Sequence, residues 1–232
     1  MVSPRSKGSE GRVVPVRLRY YNVYFIRTDD GYILVDTGMP RDSRALQKAF
    51  SKAGIKPQDV KLIIITHAHL DHAGSVAYAK RLTGADVLCH EYAAPFIRAG
   101  QSSPVVAYSL LSKLLSAISP SKYQPVEPDI VVTDKFDLCD FGIAGQVIHT
   151  PGHTQGSVTV LLESGEMLLG DMVRGAGIDI RIGSFYEDKE VLLQNLAKLV
   201  ACRAHKIYMS HGGLTNNEAL RRSIEATRGE NR

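Results

Sequence analysis

The sequence predicts an α+β fold in which two β-rich halves pack face to face with helices outside. Three observations carry that expectation. A strand–turn–strand pattern occurs at YNVYFIRTDDGYILVDTG and again at GSVTVLLESGEMLLGDM (156–172). An amphipathic helix follows each, at 41–53 and 189–201. Each half then reaches a short apolar strand with Ser/Thr-His at its end, Thr66-His67 and Ser210-His211, and an aspartate ends each hairpin, Asp36 and Asp171. The period is too long for a solenoid. It fits two halves whose strand ends gather along one edge.

The elements follow in order. Residues 1–12 read as a disordered basic tail, and 13–232 as one domain. The first hairpin turns at Asp29-Asp30-Gly31, where an aspartate-glycine step suits a tight turn. In RDSRALQKAFSKA, Leu46, Ala49, Phe50 and Ala53 fall at helical spacing, and Gly54 closes the helix. KLIIIT (61–66) is a buried strand, GSVAYAKRLTGA (74–85) a helix and ADVLCH the next strand. Residues 92–128 carry five prolines and read as an insert. Within it, 105–118 is an apolar helix with one charge, Lys113; it either packs on the core or caps a pocket. In the second half the turn is at Ser164-Gly165, and the helix 189–201 puts Leu192, Leu193, Leu196, Leu199 and Val200 on one face. HKIYMSHGG (205–213) reads as a strand, VRGAGIDIRIG as a Gly-rich loop, and NEALRRSIEATR as a closing helix.

Composition narrows the function. With 44% hydrophobic residues among 232, the chain can bury a sizeable core. No apolar run approaches the ~20 residues of a membrane span. The first residues lack an apolar stretch, so no secretory leader is expected. Three scattered cysteines, Cys89, Cys139 and Cys202, point to reduced thiols and a cytoplasmic protein, with Cys202 read as small and buried. The net charge of +4 resides in residues 1–19, and the remainder is balanced at 23 basic and 23 acidic side chains. A balanced body is not the footprint of a nucleic-acid binder.

The chemistry concentrates in THAHLDHAG (66–74). In an extended chain His67 and His69 point the same way and can converge on one point. Asp71 and His72 follow after the chain turns into a helix and can reach a second point nearby. Imidazole nitrogen and carboxylate oxygen suit Zn²⁺ well and Fe or Mn acceptably. His153 in a Pro/Gly turn, Asp171 after MLLG and His211 after IYMS are further ligand types at the same edge. Singly, each has an ordinary explanation as a cap or a loop histidine.

HxHxDH at 67–72, TPGHT at 150–154, GD at 170–171 and SHG at 210–212, with LVDTG at 34–38 upstream, resemble the metallo-β-lactamase superfamily, in family order over about residues 13–215. The resemblance implies an αβ/βα four-layer sandwich with a dinuclear site. It assigns His67, His69 and His153 to one zinc, and Asp71, His72 and His211 to a second, with Asp171 bridging; Fe or Mn remain alternatives. Asp36 would orient ligand-bearing loops rather than bind. Two ions ~3.5–4 Å apart would activate a shared water against a carbonyl or phosphorus. Asp71 is the candidate to carry a proton to the leaving group.

Departures from subfamilies sort the substrates. Common β-lactamases carry Cys where Asp171 stands, so antibiotic hydrolysis is not the first expectation. Quorum-quenching lactonases place Tyr three residues after the bridging Asp; here that residue is Arg174, with Tyr186 a candidate replacement. Arg174 and Arg181 could clamp a substrate carboxylate or phosphate, or simply be solvated. The expectation is a hydrolase of a lactone, thioester or activated ester. A phosphodiester or phosphotriester comes second, and a mononuclear iron oxidoreductase resembling persulfide dioxygenases is the rival from another class. The partner is a small-molecule substrate, and base rates favour a homodimer. His149 reads as a core or supporting histidine, and His90 and His205 have no evident partner.

Overall fold

In the computed structural model, which describes residues 11–104, 121–183 and 185–229, the first half builds a six-stranded sheet. β1 (Val13–Arg17), β2 (Asn22–Arg27) and β3 (Tyr32–Val35) form an antiparallel meander. β4 (Val60–Ile64), β5 (Asp86–His90) and β6 (Ile130–Val132) extend it in parallel. Parallel neighbours need crossovers. α1 (Ser43–Ala53) lies between β3 and β4; α2 (Leu70–Ala73) and α3 (Val76–Thr83) lie between β4 and β5; α4 (Ala94–Ala99) follows β5.

The second half supplies β7 (Lys135–Asp137), β8 (Gly145–His149), β9 (Val158–Leu162), β10 (Glu166–Leu168), β11 (Val173–Gly177), β12 (Asp179–Ile182), β13 (Lys206–Tyr208) and β14 (Gly212–Thr215). They form an eight-stranded sheet in the order β12-β11-β14-β13-β10-β9-β8-β7. α5 (Lys189–Ala201) precedes β13, and α6 (Asn217–Gly229) follows β14.

Two-residue alternation divides the core into layers. On β2 and β4, Tyr24, Ile26, Leu62 and Ile64 face the second sheet and meet Val147, Val158, Val160 and Leu168. Their neighbours Val23, Phe25 and Ile63 turn outward onto Leu46, Phe50, Val76 and Ile97 of the helices. On the far side, Met167 and Ile207 pack against Leu192, Leu196, Leu199 and Leu220. The result is the four-layer αβ/βα sandwich that the sequence predicts.

Several elements differ from expectation. Residues 173–183 form the β11–β12 hairpin rather than a loop; β11 carries glycines at positive φ (Gly175, 121°; Gly177, 61°) and reads as a loop, although Ile180 and Ile182 alternate with Asp179 and Arg181 along β12. The run 205–213 is broken into antiparallel β13 and β14, with His211 in the connection. The helix expected from 74 begins at Val76, after the separate turn α2. β1, β6, β7, β8 and α4 were not foreseen. Arg12 already belongs to the fold: its N–H donates to Glu166 Oε2 at 3.1 Å and its carbonyl accepts from Arg27 N–H at 2.8 Å. Cys202 is exposed at the end of α5, not buried. Residues 1–10 and 105–118, the tail and the apolar helix of the insert, lie outside the described residues.

Candidate metal centre

Seven predicted residues meet where the two sheets' strand ends face each other. The chain leaves β4 extended, so His67 and His69 project to one side, and α2 then turns Asp71 and His72 toward a second point. His153 arrives on the turn after β8. Gly152 there has φ 132°, and a Cβ on it would lie 2.4 Å from the Leu192 backbone, so this turn can sit against α5 only with glycine. Asp171 follows β10, and His211 lies between β13 and β14.

The seven fall into two donor groups, His67, His69 and His153, and Asp71, His72, Asp171 and His211, the donor atoms of each lying within 4.8 Å of one another. In the first, His67 Nε2, His69 Nδ1 and His153 Nε2 form a triangle with edges of 3.0, 3.1 and 3.1 Å. In the second, His211 Nε2 is 2.8 Å from Asp71 Oδ2 and 3.2 Å from Asp171 Oδ2, while His72 Nε2 is 3.4 Å from Asp171 Oδ1. Asp171 Oδ2 also stands 4.0 Å from His153 Nε2, so this carboxylate lies between the groups.

The outer ring nitrogens fix which inner ones present lone pairs. His72 Nδ1–H donates to Asp36 Oδ2 at 2.7 Å. Thr66 O–H donates to the same carboxylate at 2.8 Å and takes the proton of His67 Nδ1 at 3.1 Å. Asp36 therefore orients one ring in each group. His153 Nδ1–H donates to the Phe185 carbonyl at 2.9 Å, and His69 Nε2–H is directed at the Pro104 carbonyl at 3.4 Å. Asp36 holds φ 61°, a backbone conformation uncommon outside glycine, which marks it as fixed by its surroundings.

Electrostatics separates the groups. Burial, reinforced by neighbouring rings, lowers His67 and His153, and takes His69 down to about 3, so these are neutral bases. Burial would lower His72 and His211 too, but Asp171 and the carboxylates around it hold His72 well above its ordinary value and push His211 up to about 10. Asp171 and Asp71 are conversely held low against burial by these histidines, Asp71 at about 2. Protons here balance the carboxylates where a cation would do so.

The arrangement fits divalent cations. Three converging imidazole lone pairs cannot hydrogen-bond one another. His72 Nε2 and Asp171 Oδ1 are buried with no hydrogen-bond partner, an expensive state unless something else satisfies them. Nitrogen donors about 3 Å apart suit a tetrahedral ion with bonds of ~2.0–2.1 Å.

The sequence also matches the model of the metallo-β-lactamase superfamily over residues 16–211. The chain belongs to that superfamily. It is thereby classed with the metallo-hydrolases. It is 23% identical over 227 residues to a probable metallo-hydrolase, YflN, of Bacillus subtilis, covering 89% of this chain and 84% of that protein. It is 30% identical over 172 residues to an N-acyl homoserine lactonase of a Bacillus species, covering 63% of this chain and 60% of the lactonase. Several curated relatives are longer, and the chain covers only 54–60% of their length. Among solved structures, a Cronobacter sakazakii metallo-β-lactamase with a HARLDQ motif superposes with TM-score 0.68 at 20% identity, covering 94% of this chain and 89% of that one. This superfamily member reads HAHLDH at 67–72, so the shared fold does not itself fix the ligand set.

Sequence reasoning missed several groups that build this superfamily site. Asn22 and Tyr24 of β2 hold the loop carrying His211: the Asn22 amide donates to the Gly212 carbonyl at 2.9 Å and Tyr24 O–H to the Met209 carbonyl at 2.6 Å. Thr66 was legible only as a neighbour of His67. The Phe185 carbonyl carries no side-chain signal at all. Arg174 lines a cavity that reaches His211. Tyr186 packs, partly buried, against the apolar cluster under α5. His149 stacks on His90 with ring centroids 3.7 Å apart, outside both donor groups, and thereby supplies the partner that His90 lacked in the sequence. Among the described residues, no helix is long and apolar enough to cross a membrane.

Proposed function

We propose that the protein uses two divalent cations, zinc first among them, to hydrolyse an ester-type bond: a lactone, a thioester or an activated ester. The observation that carries this reading is Asp171, one carboxylate set between a three-nitrogen group and a mixed Asp/His group. His67, His69 and His153 would hold one cation, Asp71, His72 and His211 the other, and Asp171 both. When bound, such cations lower the pKa of water to about 7 and polarise a carbonyl oxygen.

The chain's own residues do the rest. Asp36 and Thr66 keep the ring nitrogens of His67 and His72 turned inward, and the Phe185 carbonyl does so for His153. Asp71, with a side chain 27% exposed, would pass a proton to the departing oxygen or sulfur. Water adds across the bond, the acyl–oxygen or acyl–sulfur bond breaks, and a carboxylic acid and an alcohol or thiol leave.

Support for an acyl substrate comes from a cavity of about 270 Å³ beside the three-histidine group, with Ala68, Ala93, Phe96 and Pro104 forming an apolar wall and Ser103, Thr154, Gln155 and Glu187 a polar one. An apolar wall of this kind favours a hydrocarbon arm over a polyanion. A screen of lactones, thioesters, aryl esters and phosphate esters with zinc-loaded protein, alongside metal analysis, tests the reading. About two zincs per chain with ester turnover is the expected result. Phosphate-ester turnover alone would replace it with the phosphodiester or phosphotriester reading, and one iron with oxygen uptake would replace it with the oxidoreductase.

A further inference from the structure

A second cavity, of about 590 Å³, opens on the other side of the centre and reaches His211. Three guanidinium groups line it, Arg17, Arg174 and Arg181, against one carboxylate, Asp179. They come from three strands in both sheets. Arg17 ends β1 opposite Asn22, and Asn22 grips the Gly212 carbonyl, which sets Arg17 beside the loop carrying His211. Arg174 of β11 and Arg181 of β12 are direct cross-strand partners.

Like charges placed directly opposite across a ladder are destabilising. Among the described residues, none of the three guanidinium groups makes an ion pair or a side-chain hydrogen bond that would relieve them. Residues 20–232 are charge-balanced, and Arg174 and Arg181 from that segment meet Arg17 from the basic leader, a local concentration of positive charge. Tyr20, 79% exposed, stands at the same cavity and adds an aromatic hydroxyl.

We propose that this cavity is an anion subsite that holds a carboxylate or phosphate on one arm of the substrate. The proposal rests on the hydrolase reading and sharpens it. Guanidinium forks match the planar carboxylate and the phosphate in bidentate fashion. His211 belongs to the second donor group and to this cavity's lining, so the acidic arm leaves the scissile bond on that side. The apolar wall of the cavity beside the three histidines takes the other arm. The substrate class is therefore an ester or thioester with one hydrocarbon arm and one short acidic arm.

Two measurements test this. In the first, kcat/KM is compared for matched esters whose arm is neutral, carboxylate-bearing or phosphate-bearing, in 20 and 500 mM salt. The charged esters are expected to lead, and added salt to erase the lead. Arg174→Ala, Arg181→Ala and Arg17→Gln should each lower the charged-to-neutral ratio about tenfold, mainly through KM. Arg221→Ala, which removes the same charge from α6, should leave the ratio unchanged. The preferred arm, carboxylate or phosphate, identifies the anion. Equal kcat/KM for neutral and charged esters, or a ratio indifferent to all three substitutions, overturns the proposal.

The second measurement needs no turnover. Acetate and methyl phosphate are titrated into the zinc-loaded protein and followed by the amide resonances of Gly175, Asp179 and Ile180. Saturable shifts that vanish in the Arg174→Ala/Arg181→Ala variant support the subsite, even if no ester is hydrolysed and the hydrolase reading falls. Absence of such shifts in the unaltered protein overturns the subsite, whatever the enzyme hydrolyses.

Discussion

The two donor groups solve the same problem in opposite ways. His67, His69 and His153 are neutral bases: burial removes their protons, and carbonyl or hydroxyl groups behind them hold the remaining N–H. Asp71, His72, Asp171 and His211 are a charge-compensated set, in which carboxylates hold protons on the histidines. The first group offers lone pairs that nothing else occupies. The second must exchange protons for a cation. Their shared elements are Asp171 between them and Asp36 behind them.

Removing the carboxylate that lies between the groups should have the largest effect. Asp171→Ala is expected to lower metal content in both groups and reduce turnover by about a thousandfold or more, with little change in circular dichroism. A variant that kept full activity without metal would end the dinuclear account. By contrast, His153→Ala should empty the first group while the second still binds, which metal analysis against a graded chelator would read as a loss of one ion and not two.

Proton release comes next. Since His72 and His211 titrate above their ordinary value, a cation entering the second group at neutral pH must displace protons, while the three low-titrating histidines release none. Calorimetry in buffers of different ionisation enthalpy should therefore find proton release confined to one of two binding phases. That phase should weaken as pH falls, and the other should persist to lower pH. Equal release in both phases would erase the distinction.

Smaller effects separate support from ligation. Asp36→Asn should weaken metal binding about 10–100-fold in both groups, because it orients one ring in each. Thr66→Val should act mainly through His67, measured as a loss confined to the first group. Leu196→Ala, in the apolar layer under α5, should lower stability by about 2–5 kcal/mol while leaving the metal content of folded protein unchanged.

Much of this was legible in the residues. The alternation in NVYFIR and KLIII forecast two-faced strands, and HAHLDH forecast two donor points from its spacing across a strand-to-helix turn. The β11–β12 hairpin was missed because the glycines of β11 masked it, although Ile180 and Ile182 alternate along β12 and pack on the cluster under α5. The supporting roles of Asn22 and Tyr24 were hidden for a different reason: they act on carbonyls some 190 residues away (Asn22 on Gly212) or 185 residues away (Tyr24 on Met209). Backbone oxygens carry no identity in a sequence.

By itself the sequence determined the layers and the ligand types, since both arise from local periodicity and from side-chain chemistry. Only the tertiary structure decided which ring nitrogen faces inward, which groups hold the ligands from behind, and that Arg17 joins Arg174 and Arg181 at one cavity. Those outcomes depend on distances between segments far apart in the chain, which are set when the two sheets close on each other and bury Tyr24, Ile64, Val158 and Leu168 between them.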